Sequence, residues 1–358
     1  MRAPSLLVML VIGSRLAAAN PDAPSTAPAG APPVAAQPSA PDPGEPSGAP
    51  AEAHPIAAQL LLGAGYTTFG LWAYGAWYAK HKGLGYYKWG GDDRNCRYPG
   101  GPGFFSLCEL TAWAGSNTYA GGADKFGHAW STMALARGGT ELLSRYGGFD
   151  HLKSSLISAA LADTLFFFVE VKDGYFYEFS YSDLGADTLG AIIAVLLDNF
   201  PRLDEMLDYR VQYFPSRGYL DNISGGNGYS RLNIAEDYSG ETYLIAFHLG
   251  SIHALRDARH GAWSRFVDLA IGFDSRGYKP SPPMGYPPYE HHQDLFLGIS
   301  FNAQGLFDWL LEDRASRAAR TTRYITHGVF ELFNLPYTAL PVIDHRNVPN
   351  GPVMMGGA

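Results

Sequence analysis

The chain has 358 residues, a formal net charge of −8, 17% charged and 14% aromatic residues. No basic tract interrupts that acidic balance, which excludes nucleic acid as a partner. Few charges and many aromatics fit a protein that touches membrane, or one with an unusually large core.

Residues 1–19 have the three parts of a secretory signal. Arg2 is the basic start, residues 6–12 are an apolar core, and Ala17, Ala18 and Ala19 supply the small residues before cleavage. The core is too short to cross a bilayer, so export is expected. No cysteine lies near the expected cleavage point to accept an N-terminal lipid. Residues 20–55 hold 11 of the 25 prolines, interleaved with Ala, Ser and Gly, which is the composition of an extended tether.

Residues 56–79 carry no charge and are long enough to span a membrane. Gly63, Gly65, Gly70 and Gly75 would admit a close helical neighbour. Trp72, Tyr74, Trp77 and Tyr78 gather near the end like an interfacial belt. A span, an interfacial helix and a buried core helix all satisfy this pattern. Cys96 and Cys108 flank a Gly/Pro-rich loop. In an exported chain they form a candidate disulfide, worth about 3 kcal/mol.

Three helices are expected next. Residues 124–146 stop at Gly147-Gly148, and residues 152–171 close on Asp173-Gly174. The third is capped by Ser182 or Asp183 and runs to Asn199, ahead of Pro201. An amphipathic piece at 203–213 and a helix at 241–255 follow. In residues 267–273 and 295–301 apolar side chains alternate, which predicts two antiparallel strands joined by a long Pro-rich connector. Helices at 306–320 and 321–335 precede a proline-containing tail. The expected fold is mainly α: a membrane-associated bundle of short helices over residues 56–215. A small α+β part over 216–358 then contains a two-stranded antiparallel pair.

Carboxylates recur at the ends of these apolar helices. Asp124 and His128 share one helix face, Asp163 and Glu170 a second, and Asp183, Asp187 and Gly190 a third. Charges set against apolar helices are costly unless they are paired. Asp124, Lys125, His128, Glu170, Asp173, Asp183 and Asp187 are therefore expected to meet in one polar cluster. Asp124, His128, Glu170 and Asp183 could ligate Mg²⁺, Mn²⁺ or Zn²⁺. His128 with Glu170 could move a proton. Equally, the cluster could be a capping network that only orients helices. His291-His292 reads as a solvated loop, and His248 and His253 are wrongly spaced to share a helix face. There is no phosphate-binding loop or nucleophile elbow.

The motifs carry a resemblance. Asp-Lys-x-Gly-His at 124–128, Glu-x-x-Asp-Gly at 170–174 and Ser-x-x-Asp-x-x-Ala-Asp-x-x-Gly at 180–190 resemble the uncharacterised "predicted periplasmic lipoprotein" family, often called YfiM-like. Residues 236–243 are similar to a block in longer members, so the resemblance covers roughly residues 63–301. VanZ-like membrane proteins, linked to glycopeptide tolerance, are more distantly similar. Asp187 stands where both families usually have Asn, which adds a charge. The resemblance implies a fold and an envelope compartment rather than a reaction. The expected protein is an exported, membrane-associated envelope protein whose Asp/Glu/His cluster is structural or binds membrane lipid or an envelope protein. The alternative is a metal-assisted hydrolase or transferase acting on a phosphate- or ester-bearing envelope lipid.

Overall fold

A computed structural model describes residues 53–79, 81, 83–90, 118–225, 231, 233–314 and 316–348. The leader, nearly all of the tether and the Cys96–Cys108 pair lie outside the described residues. Helix α1 (Pro55–Ala73) begins with proline at its first turn, where no backbone donor is needed, and ends in a wider π turn at Tyr74–Tyr78. A short strand β1 (Trp89–Gly90) leads to helix α2 (Ala123–Glu141) and then α3 (His151–Phe176). Strand β2 (Phe179–Ser180) pairs in parallel with β1, and helix α4 (Tyr181–Asn199) follows.

Local chemistry sets these boundaries. The Asp150 carboxylate accepts from the Lys153 N–H at the start of α3, and the Ser180 hydroxyl accepts from the Asp183 N–H at the start of α4. The cap of α4 is thus Ser180, not Ser182 or Asp183. Nor is Asp124 a cap, since the residue before α2 is Gly122 in a left-handed conformation. Helix α2 is buried around most of its circumference, between α3, α4 and the sheet described next. Its Ala129 lets α4 come very close: a Cβ on Gly190 would lie 2.1 Å from the Ala129 carbonyl oxygen. Only glycine fits that crossing.

The remainder alternates. Helix α5 (Pro201–Met206) runs into strand β3 (Leu207–Tyr213); helix α6 (Arg217–Ser224) precedes β4 (Glu241–His248), β5 (Val267–Arg276) and β6 (His292–Phe301). Helices α7 (Ala303–Leu311) and α8 (Arg317–Leu332), then strands β7 (Phe333–Asn334) and β8 (Ala339–Asn347), complete the described chain. The six strands β3 to β8 form one mixed sheet in the order β7-β3-β4-β5-β6-β8, with only β3 and β7 parallel. The sheet curls so far that Gln212 of β3 accepts from the backbone N–H groups of Thr338 and Ala339, each at 3.3 Å, where β8 begins.

This architecture overturns the expected fold class. The two alternating segments do pair antiparallel, with Leu269 opposite Ile299 and Ile271 opposite Leu297, but they are the middle of a six-stranded sheet. The piece at 203–213 is mostly strand, the expected helix at 241–255 is strand β4, and the tail is strand β8. The membrane bundle fails as well. Among the described residues His151–Phe176 alone is long and apolar enough to cross a membrane. The inward side of that helix is mostly small or polar, with Ser154, Ser155, Ser158 and Glu170 buried alongside Ala159, Ala162 and Phe166.

Tyr209, Val211, Tyr243 and Phe273 project from the sheet onto α2. Phe126 stacks there on Phe273, ring centroids 4.6 Å apart, and the Trp130 indole donates to the Leu332 carbonyl at 3.0 Å. The opposite side of the sheet buries a charged network. Arg210 donates to Asp208, to Asp268 at 2.9 Å and to Gln304 at 2.8 Å. His248 sits between Asp208 and Asp268 at 3.0 and 2.8 Å. A fully bonded network of this kind fixes strand register.

Candidate polar and metal-ligand site

Helix α2 presents Asp124, Lys125, His128 and Thr132 along one side. Glu170 and Asp173 come from the last turns of α3, and Asp183 and Asp187 from the first turns of α4. Lys125 is fully buried and ion-pairs with Asp183 and with Asp124, the latter at 3.0 Å. The Nδ1 atom of His128 lies 3.0 Å from Asp187 Oδ1, which also accepts from the Thr132 hydroxyl at 2.9 Å. The other ring nitrogen, Nε2, faces Asp124 Oδ1 at 3.8 Å and Glu170 Oε1 at 4.0 Å. Glu170 Oε2 accepts from the Ser180 N–H at 3.2 Å.

Six of the seven expected residues thus meet around His128. Asp173 is at the margin, where its carboxylate accepts from the Tyr78 hydroxyl at 2.6 Å. Asp163, placed on the Glu170 face in sequence, turns elsewhere and accepts from Thr188 at 3.1 Å. The sheet side adds residues that sequence reasoning did not include. Tyr238 donates to Asp124, and Tyr243 donates to Glu241. Gly127 makes room for them: its Cβ would come within 2.8 Å of the Tyr243 hydroxyl. The signal for Tyr238, Glu241 and Tyr243 was the block at 236–243, though nothing in that block says which helix it meets.

Burial acts against the charge of every member, and the neighbours decide the outcome. For Asp124, Lys125, His128 and the Tyr238 hydroxyl outweigh burial and hold the carboxyl at about 2. Burial also disfavours the imidazolium of His128, yet Asp187 and Asp183 raise it well above its usual value. Glu170 goes the other way: burial, then Asp183, push it well above the usual carboxylate range. Burial likewise lifts Asp173 to about 6 and Glu241 to about 8.

Two features bear on a bound ion. The ligand-type atoms of Asp124, His128 and Asp183, and those of His128, Glu170 and Asp187, each fall within 4.8 Å of one another. Furthermore, Glu170 Oε1 and Asp187 Oδ2 are buried and accept no hydrogen bond among the described residues. A buried carboxylate oxygen left this way is expensive.

A profile of the family described as "Predicted periplasmic lipoprotein (DUF2279)" matches residues 111–199, the segment that carries α2, α3 and α4. The match reaches that uncharacterised family and does not extend to YfiM-like or VanZ-like proteins. Its description agrees with the leader: the chain is exported and envelope-associated. No curated protein and no solved structure matches the chain.

Proposed function

We propose that this envelope protein holds a divalent cation between α2, α3 and α4, with His128 Nε2, Glu170 and Asp124 as ligands and Asp183 beside them. The observation that carries the reading is the buried Glu170 Oε1, without a hydrogen-bond donor and aimed at a histidine nitrogen 4.0 Å away. That separation is too long for a hydrogen bond and suits two atoms drawn to one ion. Asp187 on Nδ1 orients the ring, as carboxylates behind metal-bound histidines do. Charge favours a cation. A ligating His128 is neutral, so Asp124, Glu170, Asp183 and Asp187 face only the charge of Lys125, and a divalent ion offsets two of the three negative charges left. The mixed N/O donor set suits Mn²⁺ or Zn²⁺ better than Ca²⁺.

A catalytic use of the ion is a second reading, favoured by one observation. The side chain of His128 keeps 16% of its surface exposed, whereas that of Glu170 keeps 1%. An ion there could polarise a phosphate or ester of an envelope lipid. Melting curves test the primary reading. Chelator-treated wild type should gain several degrees with Mn²⁺ or Zn²⁺, and Glu170→Gln should gain nothing. Equal responses in both proteins would leave a purely structural capping network.

A further inference from the structure

We propose that Ser275 and Gln293 are positioning residues of the cation site, so that the sheet, which lies outside the matched family segment, completes that site. The inference rests on the cation reading above. Helix α2 starts from Gly122, which has no side chain to cap it. The direction of its first turn is therefore set from outside the helix. The three residues leading in, Ala120, Gly121 and Gly122, all have left-handed backbone, with φ of 52°, 58° and 84°. Glycine adopts that region freely, but a left-handed alanine persists only where its surroundings hold it there.

The sheet does the holding. The Ser275 hydroxyl of β5 donates to the Ala120 carbonyl at 2.5 Å, and the Gln293 amide of β6 donates to the Gly121 carbonyl at 2.7 Å. Ser275 and Gln293 face each other across the paired strands, and both are buried. Asn347 of β8 steadies the second of them by donating to the Gln293 side-chain oxygen at 3.0 Å. Tyr278 closes the turn from a further side, since a Cβ on Gly121 would lie 2.7 Å from its ring. The clamped carbonyls come four and three residues before Asp124, and His128 follows one turn later on the same helix face. Glu170 and Asp183 are anchored elsewhere: Glu170 accepts from the Ser180 N–H, and the Ser180 hydroxyl accepts from the Asp183 N–H. Releasing the turn would thus move Asp124 and His128 against Glu170 and Asp183. Ion affinity is sensitive to such a shift, because N and O ligands must converge to about 2.0–2.2 Å from an ion such as Zn²⁺.

Calorimetric titration of Mn²⁺ into the chelator-treated full protein, with the visible spectrum of its Co²⁺-loaded form, tests this. Ser275→Ala and Gln293→Ala should each weaken Mn²⁺ binding about tenfold or more, as loss of groups that orient metal ligands does. Both should also shift the Co²⁺ ligand-field bands. Leu244→Ala opens a cavity beside Ala270 and Phe296 on the other side of the sheet. It should lower the melting temperature and leave affinity and spectrum unchanged. Should an alanine variant misfold, Gln293→Met keeps the bulk of the side chain, removes its donor and carries the same expectation. Clamp variants that bind Mn²⁺ as tightly as wild type, with an unaltered spectrum, would overturn the positioning role and leave the cation reading standing. An equal loss of affinity in Leu244→Ala would overturn it too, since general loosening of the sheet would then account for the effect. A wild type that takes up neither Mn²⁺ nor Co²⁺ would end both readings.

Discussion

Tyr238 donates its phenolic hydrogen to Asp124, a residue 114 positions earlier in the chain. This bond joins the segment leading into β4 to the helix that carries Lys125 and His128. The polar cluster is therefore closed from the sheet side and is not a feature of the helices alone. Tyr238→Phe should remove the donor and leave a buried carboxylate oxygen short of a partner. The expected cost is about 1–3 kcal/mol in urea unfolding. A midpoint unchanged from wild type would mean that the hydroxyl is replaceable by solvent.

Two glycines of α4 should respond in opposite directions to the same substitution. Gly190→Ala places a methyl 2.1 Å from the Ala129 carbonyl and must push α2 and α4 apart, with a loss of at least 2 kcal/mol by the usual cost of overpacking, roughly 1–3 kcal/mol. Gly185→Ala meets nothing within 4 Å and should stabilise the helix by about 0.5–1 kcal/mol. Thermal melts of the pair check both signs.

Stability should fall on the alkaline side because of His248. Burial opposes its protonation, but Asp208 and Asp268 outweigh that and raise its pKa from 6.5 to about 9. A group raised in this way contributes fully below pH 6.5, and the contribution is lost as pH climbs through about 9. The effect is on the order of 3 kcal/mol by linkage. Urea midpoints measured from pH 6 to pH 10 should show the decline, and His248→Gln should flatten it.

Among the described residues Arg210 is the one arginine or lysine that ion-pairs with Asp208 and Asp268, which also hold His248 between them. Arg210→Met should destabilise by about 3–5 kcal/mol, since two buried carboxylates are then left to share the single charge of His248. Replacing Asp208, Arg210 and Asp268 together with apolar residues of similar volume should recover much of that loss. Unfolding free energies of the single and triple variants make the comparison.

The helical half was legible because its signals are local. Gly147-Gly148 and Pro201 mark ends, although α3 runs through the expected stop at Asp173-Gly174 to Phe176, and carboxylates placed four residues apart on an apolar helix must find partners. The sheet was not legible for a physical reason. Its inward side mixes Asp208, Arg210, His248 and Asp268 with the buried Leu244, Ala270 and Phe296, so polar residues hold many of the positions where a core would be sought. In β3 the alternation of Leu207, Tyr209, Val211 and Tyr213 was present, yet the charged residues between them made it read as an amphipathic helix. In β4 the run Thr242 to Phe247 has no clear alternation, and periodicity alone cannot separate a buried strand from a buried helix. Pro341 disguised β8, which tolerates it as an edge strand. Tyr238 and Glu241 belong to the cluster through tertiary contacts that no spacing encodes.

Elemental analysis of the purified, chelator-free protein addresses the central claim most directly. The account predicts about one equivalent of Mn²⁺ or Zn²⁺ per chain, lost in His128→Ala and Glu170→Gln with secondary structure intact. A correctly folded wild type that carries no divalent ion, and takes none up on dialysis against either, would contradict it.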